Sequence, residues 1–226
     1  MFQFCGRLVG VVILGLATLL PSTANAALID FQGVGHASTV SISGVRNGTF
    51  SAGELNWVWI GTAPEGFASS FYSYCVDVSQ NLRDPQDVTV RSSDGFSNGV
   101  AGGGSKAAWL FNEYAAGIRS SVGTTANIMA AALQVAIWEA TYDTARDLAG
   151  GNFVLNTTGT IRTYANTYLQ ELYSAGAASW TSASATVLEA RSGQDQITAH
   201  VSEPSSLLLM GVAFLVFANR LRRPVA

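Results

Sequence analysis

From residue 27 to about residue 90 the chain reads as strand-like, with short runs in which apolar and polar positions alternate with a period of two. Val40-Ser41-Ile42-Ser43 alternates, Asn47-Gly48 reads as a turn, and Leu55-Asn56-Trp57-Val58-Trp59-Ile60 alternates again with aromatics. Residues 71–78 and 87–91 read as two further strands. A period of two puts one set of side chains on a buried sheet face, and Asn-Gly is a strong short-range hairpin signal. Past a glycine-rich loop at residues 95–104 the period becomes helical. Ser105 can cap a helix over 106–116. Thr124 or Thr125 can cap a second, running to about 141, with Ile128, Ala131, Ala132, Val135 and Trp138 or Glu139 at helical spacing. A third helix starts after Thr158 or Thr160 and runs to 175, with Ile161, Tyr164, Tyr168, Leu169 and Leu172 on one side. Residues 180–199 read as one or two closing strands. Strands, then helices, then strands is the α+β order. The expected fold is an antiparallel sandwich or barrel-like portion with an inserted portion of about three helices.

The two ends follow a different pattern. Arg7 precedes an apolar run over residues 8–20 and then Pro21-Ser22-Thr23-Ala24-Asn25-Ala26, which is the three-part plan of a signal peptide cut after Ala26. The run is shorter than the roughly 20 apolar residues of a spanning helix. At the other end stand Ser202, Glu203 and Pro204, an apolar stretch over 207–218, and then Arg220, Arg222 and Arg223. Trailing arginines favour the cytoplasmic side of a membrane. This tail resembles the PEP-CTERM sorting signal of Gram-negative bacteria that secrete exopolysaccharide, with Ser202 in place of the family's first proline. The resemblance implies a C-terminal membrane helix, an exosortase as processing partner, and a final place at the cell surface or in the extracellular matrix. The expected organisation is a signal peptide over 1–26, one domain over 27–200 and the sorting signal over 201–226.

The body between the two signals is long enough to bury a core of its own. Four of the twelve basic residues lie in the signals, which leaves eight against fifteen acidic ones over 27–203, a net charge of −7. An acidic body with no basic stripe argues against nucleic acid as a partner. Trp57 and Trp59 leave contact with carbohydrate open, although paired strand tryptophans more commonly serve core and rim.

Candidate chemistry centres on Cys75. Cys5 leaves with the signal peptide, so Cys75 is the one cysteine of the exported chain and has no internal disulfide partner. It lies in Tyr74-Cys75-Val76-Asp77, upstream of Leu133-Gln134-Val135-Ala136-Ile137-Trp138. Cys75 and Gln134 can condense into a thioester with loss of ammonia, provided the site excludes water. Cys75 falls on a strand and Gln134 in mid-helix, so the bond would join the two halves of the fold. These segments resemble the Cys-Gln thioester domains of bacterial surface adhesins. There an aromatic precedes the cysteine, and the glutamine sits in a Thr-Gln-x-Ala segment followed by an apolar residue and tryptophan; here Leu133 replaces the threonine. The resemblance implies Cys75 as thiol donor and Gln134 as acyl donor. Tyr72, Tyr74 and Trp138 are then expected to shield the bond, and Asp77 or Glu139 to relay protons. The competing expectation is an ordinary buried cysteine and a solvated helix glutamine. Lys106 is the only lysine, so few internal amines exist to open such a bond.

Other chemistries are weaker. Gly95-Phe96-Ser97-Asn98-Gly99 has the spacing of a nucleophile elbow, with Ser97, Asp143 and His200 in a formally allowed triad order, but loop flanks it where a strand and a helix are required. Residues 99–104 have the glycine spacing of a phosphate loop, yet Ser105 stands where its lysine belongs. Two histidines and one cysteine give no zinc spacing, and Asp77, Asp84, Asp87 and Asp94 lack a calcium-loop pattern, so neither metal nor cofactor is expected. Lys106 in an isopeptide bond is a further option, although a lysine at a helix start is usually a surface charge. The expected function is a surface or matrix protein, not a turnover enzyme. It attaches covalently to an amine or hydroxyl nucleophile of a surface, matrix or exopolysaccharide partner. A passive matrix protein with an inert Cys75 is the alternative, and a secreted serine hydrolase the weaker one.

Overall fold

A computed structural model describes residues 26–199. Residues 1–25 of the expected signal peptide over 1–26, His200, and the expected sorting tail with its membrane helix lie outside the described residues. Among the described residues no helix is long and apolar enough to cross a membrane.

The first half forms a long bent hairpin, β1 (Ala26–Gly44) and β2 (Gly48–Ile60), followed by β3 (Ser70–Cys75) and β4 (Gln86–Ser92). β1 pairs β2 over most of its length and bends at register shifts between Phe31 and Gly33 and between Val34 and Ala37. The bend lets its first residues, Ala26 to Ile29, pair with β4 as well. Two closing strands, β6 (Thr186–Ala190) and β7 (Gln196–Thr198), then complete the ring β1-β2-β3-β7-β6-β4, every pair antiparallel. The result is a closed six-stranded barrel, with the short β5 (Phe153–Leu155) appended to the end of β1. Closure removes the exposed edges of an open sheet.

Ile29, Leu55, Trp57, Trp59, Val88 and Leu188 form one buried cluster, with Phe31, Phe67 and Phe71 packed against it. Trp57 and Trp59 are 1% and 7% exposed, which removes them as a carbohydrate platform. The reason is the strand period itself: residues two apart share a face, and here that face is the core. The Trp57 indole N–H donates to Ser73 Oγ at 2.9 Å, whose hydroxyl donates to Gln196 Oε1 at 2.9 Å.

The helical layer is α1 (Gly103–Ser120), α2 (Gly123–Tyr142) and α3 (Thr160–Ala175), with a short turn, α4 (Ala177–Thr181). α2 is apolar nearly all round, and all residues from Ala130 to Tyr142 are buried. It runs between the barrel hairpin on one side and α1 and α3 on the other, as a helix without a polar face must. Truncating a filler such as Leu133, wholly buried, to alanine typically costs about 2–5 kcal/mol.

Four local expectations are corrected. β3 stops at Cys75 because Asp77 turns the chain, accepting from the Ser79 N–H and the Gln80 side chain. Trp180 sits on α4, ahead of the closing strands. α1 starts at Gly103, not after Ser105: Gly103 and Gly104 press against the Thr141 and Ser93 backbones, where any side chain would collide. Lys106 is not a surface charge but 4% exposed, its ammonium lying 5.3 Å and 5.4 Å from the Tyr173 and Trp180 ring centres. Cation–π attraction compensates part of its desolvation.

Candidate functional site

Cys75 is the last residue of β3, and Gln134 is in the middle of α2. The barrel and the helical layer meet at these two residues. The Cys75 N–H donates to Gln134 Oε1 at 2.9 Å, and Gln134 Nε2 donates to the Cys75 carbonyl at 2.6 Å. The side-chain amide thus lies flat along the backbone of the cysteine, like one rung of a sheet. Cys75 is 3% exposed and Gln134 1%, so the solvated glutamine of the competing expectation is not what forms. Where β3 ends, two buried backbone groups of Cys75 need partners. Leaving each unpaired would cost about 1–3 kcal/mol.

The thiol environment is dry. Burial pushes the Cys75 thiol well above its ordinary pKa; the Trp138 indole offsets part of this, and the charges of Asp77 and Asp195 add to it. Trp138 lies one turn past Gln134 on the same helix face. Its indole N–H is buried without a hydrogen-bond partner among the described residues. Asp77 is close behind. Its carboxylate accepts from the Ser79 N–H, the Ser79 hydroxyl, the Gln80 amide and the Tyr142 hydroxyl.

The other expected residues stand further off. Tyr72 and Tyr74 alternate with Ser73 and Cys75, so they face the helices. Tyr72 stacks on Phe111 with the Arg119 guanidinium 4.5 Å from its ring centre, and Tyr74 meets Phe111 edge-on. Glu139 is wholly buried but turned to another side of α2, where Oε1 accepts the Asp147 N–H at 2.8 Å and Oε2 has no partner. Its hydrogen bonds do not reach Cys75 or Gln134. Burial lifts its pKa to about 7; the Asp147 N–H opposes this, Asp143 and Asp147 add to it, and the Lys106 charge opposes it.

Above the pair opens a cavity of about 240 Å³. Its floor is buried: Cys75, Gln134, Trp138, Val78 and Leu55. Its rim is half-buried or exposed: Phe31, Val34, Arg46, Phe50, Asn81 and Leu82. The rim residues lie outside the Cys75 and Gln134 segments and come from β1, the β1–β2 turn, β2 and the loop after β3. Only the barrel register brings them to Cys75.

Ser97 lies in a loop after a single helical turn at Ser93–Gly95, lining a larger cleft of about 650 Å³ with Asn98, Tyr142 and Asn152. Both Asp143 oxygens are occupied, by the Asn152 and Phe153 N–H groups at 2.8 Å each. His200, the third member of that triad, lies outside the described residues.

Residues 200–223 match the family model described as "PEP-CTERM protein-sorting motif". No curated protein and no solved structure matches the chain. The motif match covers Ser202, Glu203, Pro204, Arg220, Arg222 and Arg223. It supports an exported protein sorted by exosortase, held at the membrane by its C-terminal segment before processing and found at the cell surface or outside the cell afterwards.

Proposed function

We propose that this exported domain is a covalent attachment module whose reactive group is a thioester between Cys75 and Gln134. The observation that carries this reading is the carboxamide of Gln134 laid on the backbone of Cys75, in a dry site under a cavity. In the closing step the Cys75 sulfur bonds to Gln134 Cδ, the Cδ–Nε2 bond breaks, and the thiol proton leaves with the nitrogen as ammonia. The Cys75 N–H already donates to Oε1, where negative charge develops during the addition, so it serves as an oxyanion donor. A nucleophile from a partner then attacks Cδ and stays attached, and Cys75 returns to a thiol. Burial of Lys106 in an aromatic cage keeps the chain's only lysine amine from opening the bond.

One observation favours a second reading. The same amide rung satisfies both backbone groups of Cys75, which is a sufficient structural role for Gln134 in a passive matrix protein with an inert thiol. Intact mass separates the two. A thioester lowers the mass of the mature domain by about 17 Da, a deficit absent in Cys75→Ala and replaced by an amine adduct plus free thiol on adding methylamine. A full mass with an unmodified Cys75 in freshly folded protein would leave the passive reading.

A further inference from the structure

We infer that the partner reaches the Cys75–Gln134 pair through the cavity above it, and that Arg46 selects a nucleophile carried beside an anion over one carried beside a cation. What happens at the cavity floor rests on the attachment reading above; the charge selection does not.

Apart from Cys75 itself, Arg46 is the only ionisable side chain among the described residues that line the cavity. It is held in place. Nη1 donates to the carbonyls of Val78 and Gln80, at 3.2 and 2.7 Å, and Nη2 to Asn81 Oδ1, while the guanidinium lies 4.9 Å from the Phe50 ring centre. A guanidinium has five N–H donors, so two remain for an incoming acceptor. No described carboxylate pairs with it, since the ion pairs among the described residues are Arg91–Glu189 and Arg119–Glu54. The carboxylates that act on the Cys75 thiol, Asp77 and Asp195, do not line the cavity. Asp77 is saturated as described, and Asp195 accepts from the Ala190 N–H and the Asn98 amide.

A fixed, half-buried cation beside a largely apolar rim repels an ammonium and offers an anion a landing point. A lysine on a basic surface meets this barrier. A hydroxyl or amine next to a carboxylate or sulfate instead docks its anion on Arg46 and delivers its neutral nucleophile to Cδ. For an amine, the new C–N bond forms as the Cδ–Sγ bond breaks, and the amine proton passes to sulfur.

The test begins with the mature domain treated with methylamine, which opens any thioester and leaves a Cys75 thiol whether or not one was present. The thiol is then modified with methanethiosulfonates of matched size, one carrying a sulfonate and one a trimethylammonium. Each rate is divided by the same reagent's rate with a small free thiol, and on that scale the anionic reagent is expected to be favoured roughly five to ten times, with the ratio shrinking toward unity in 1 M salt. Arg46→Glu inverts the preference and Arg46→Gln abolishes it; the milder variant keeps the test decisive should the first not fold. Equal normalised rates for both reagents, or a ratio indifferent to Arg46, would overturn the proposal. Mass before methylamine reports separately on the thioester. A missing 17 Da deficit defeats the attachment reading while the order of normalised reagent rates still decides the role of Arg46.

Discussion

Glu139 has one carboxylate oxygen on the Asp147 N–H and the other on nothing, at zero exposure. Its folded pKa of about 7 lies above the ordinary carboxylate value, so the native state holds a proton that the unfolded chain releases near pH 4.5. The native state therefore binds more protons between these values, and stability falls as pH rises from about 4.5 to about 7. Asp195, lifted to about 6 mainly by burial, acts in the same direction over a narrower window. Glu139→Gln keeps the acceptor for Asp147 and removes the ionisation. Melting curves from pH 4.5 to 8 should show the variant gaining on the wild type across that range, by up to about 3 kcal/mol at pH 8. A parallel pH profile for both proteins would contradict this. Glu139 also marks how far single residues were legible. Cys75, Gln134 and Trp138 stood out because a lone thiol, a mid-helix amide and an indole four residues on form a spaced motif. Glu139 looked equally near in sequence, yet five helical steps rotate it about 140° from Gln134, whereas four bring Trp138 to within about 40°. Arg46 carried no signal at all. Its relevance comes from a turn that folds over Cys75 through strand register, which side-chain type does not encode.

Among the elements, α1 opposes local propensity to its packing. Gly104 is helical, and replacing a helix glycine by alanine ordinarily stabilises by about 0.5–1 kcal/mol. A Cβ at Gly104, however, would lie 2.0 Å from the Ser93 carbonyl oxygen and 2.8 Å from Phe96 Cβ. Ser93 cannot yield cheaply, because its N–H and hydroxyl are both bonded to Ala185, just before β6. Gly104→Ala is expected to destabilise by about 2 kcal/mol. Gly117→Ala, on the same helix with open space around it, should stabilise by about 0.5–1 kcal/mol. Denaturant titration of the pair checks the contrast, and equal signs would refute it. The same contacts explain why the glycine-rich stretch read as loop to residue 104: glycine there answers to a neighbouring backbone, not to a turn. The helices otherwise followed their apolar spacing closely, since an interior helix such as α2 leaves a dense pattern. β1 did not, because two register shifts break its alternation between Phe31 and Ala37. Without its first residues the closure of the barrel through β4 could not be read, and sandwich and barrel stayed open.

For the molecule as a whole, a Cys75–Gln134 bond would tie barrel to helical layer across 59 positions of chain. A cross-link closing a loop of that length restricts the unfolded chain by about 4 kcal/mol in the chain-entropy description of disulfides. Opening it with methylamine should then lower the melting temperature by about 10 °C, while Cys75→Ala melts alike with and without the amine. No methylamine effect on wild-type melting would argue against the cross-link. The junction has a mechanical side as well. Gln196 of β7 pairs with Cys75, and two residues beyond the end of that strand the sorting motif begins. Tension between a membrane-held tail and a captured partner would enter the domain through β7, a strand of three residues. Before capture, with no partner attached, a closed thioester would join β3 to α2 by a covalent bond. Once the partner has displaced the sulfur it hangs from Gln134, and the same tension must cross between helices and barrel through non-covalent contacts alone. Capture would thus convert a stapled molecule into one whose grip is limited by the shear strength of its own domain, with the β3–β7 pair as the place where it would yield first.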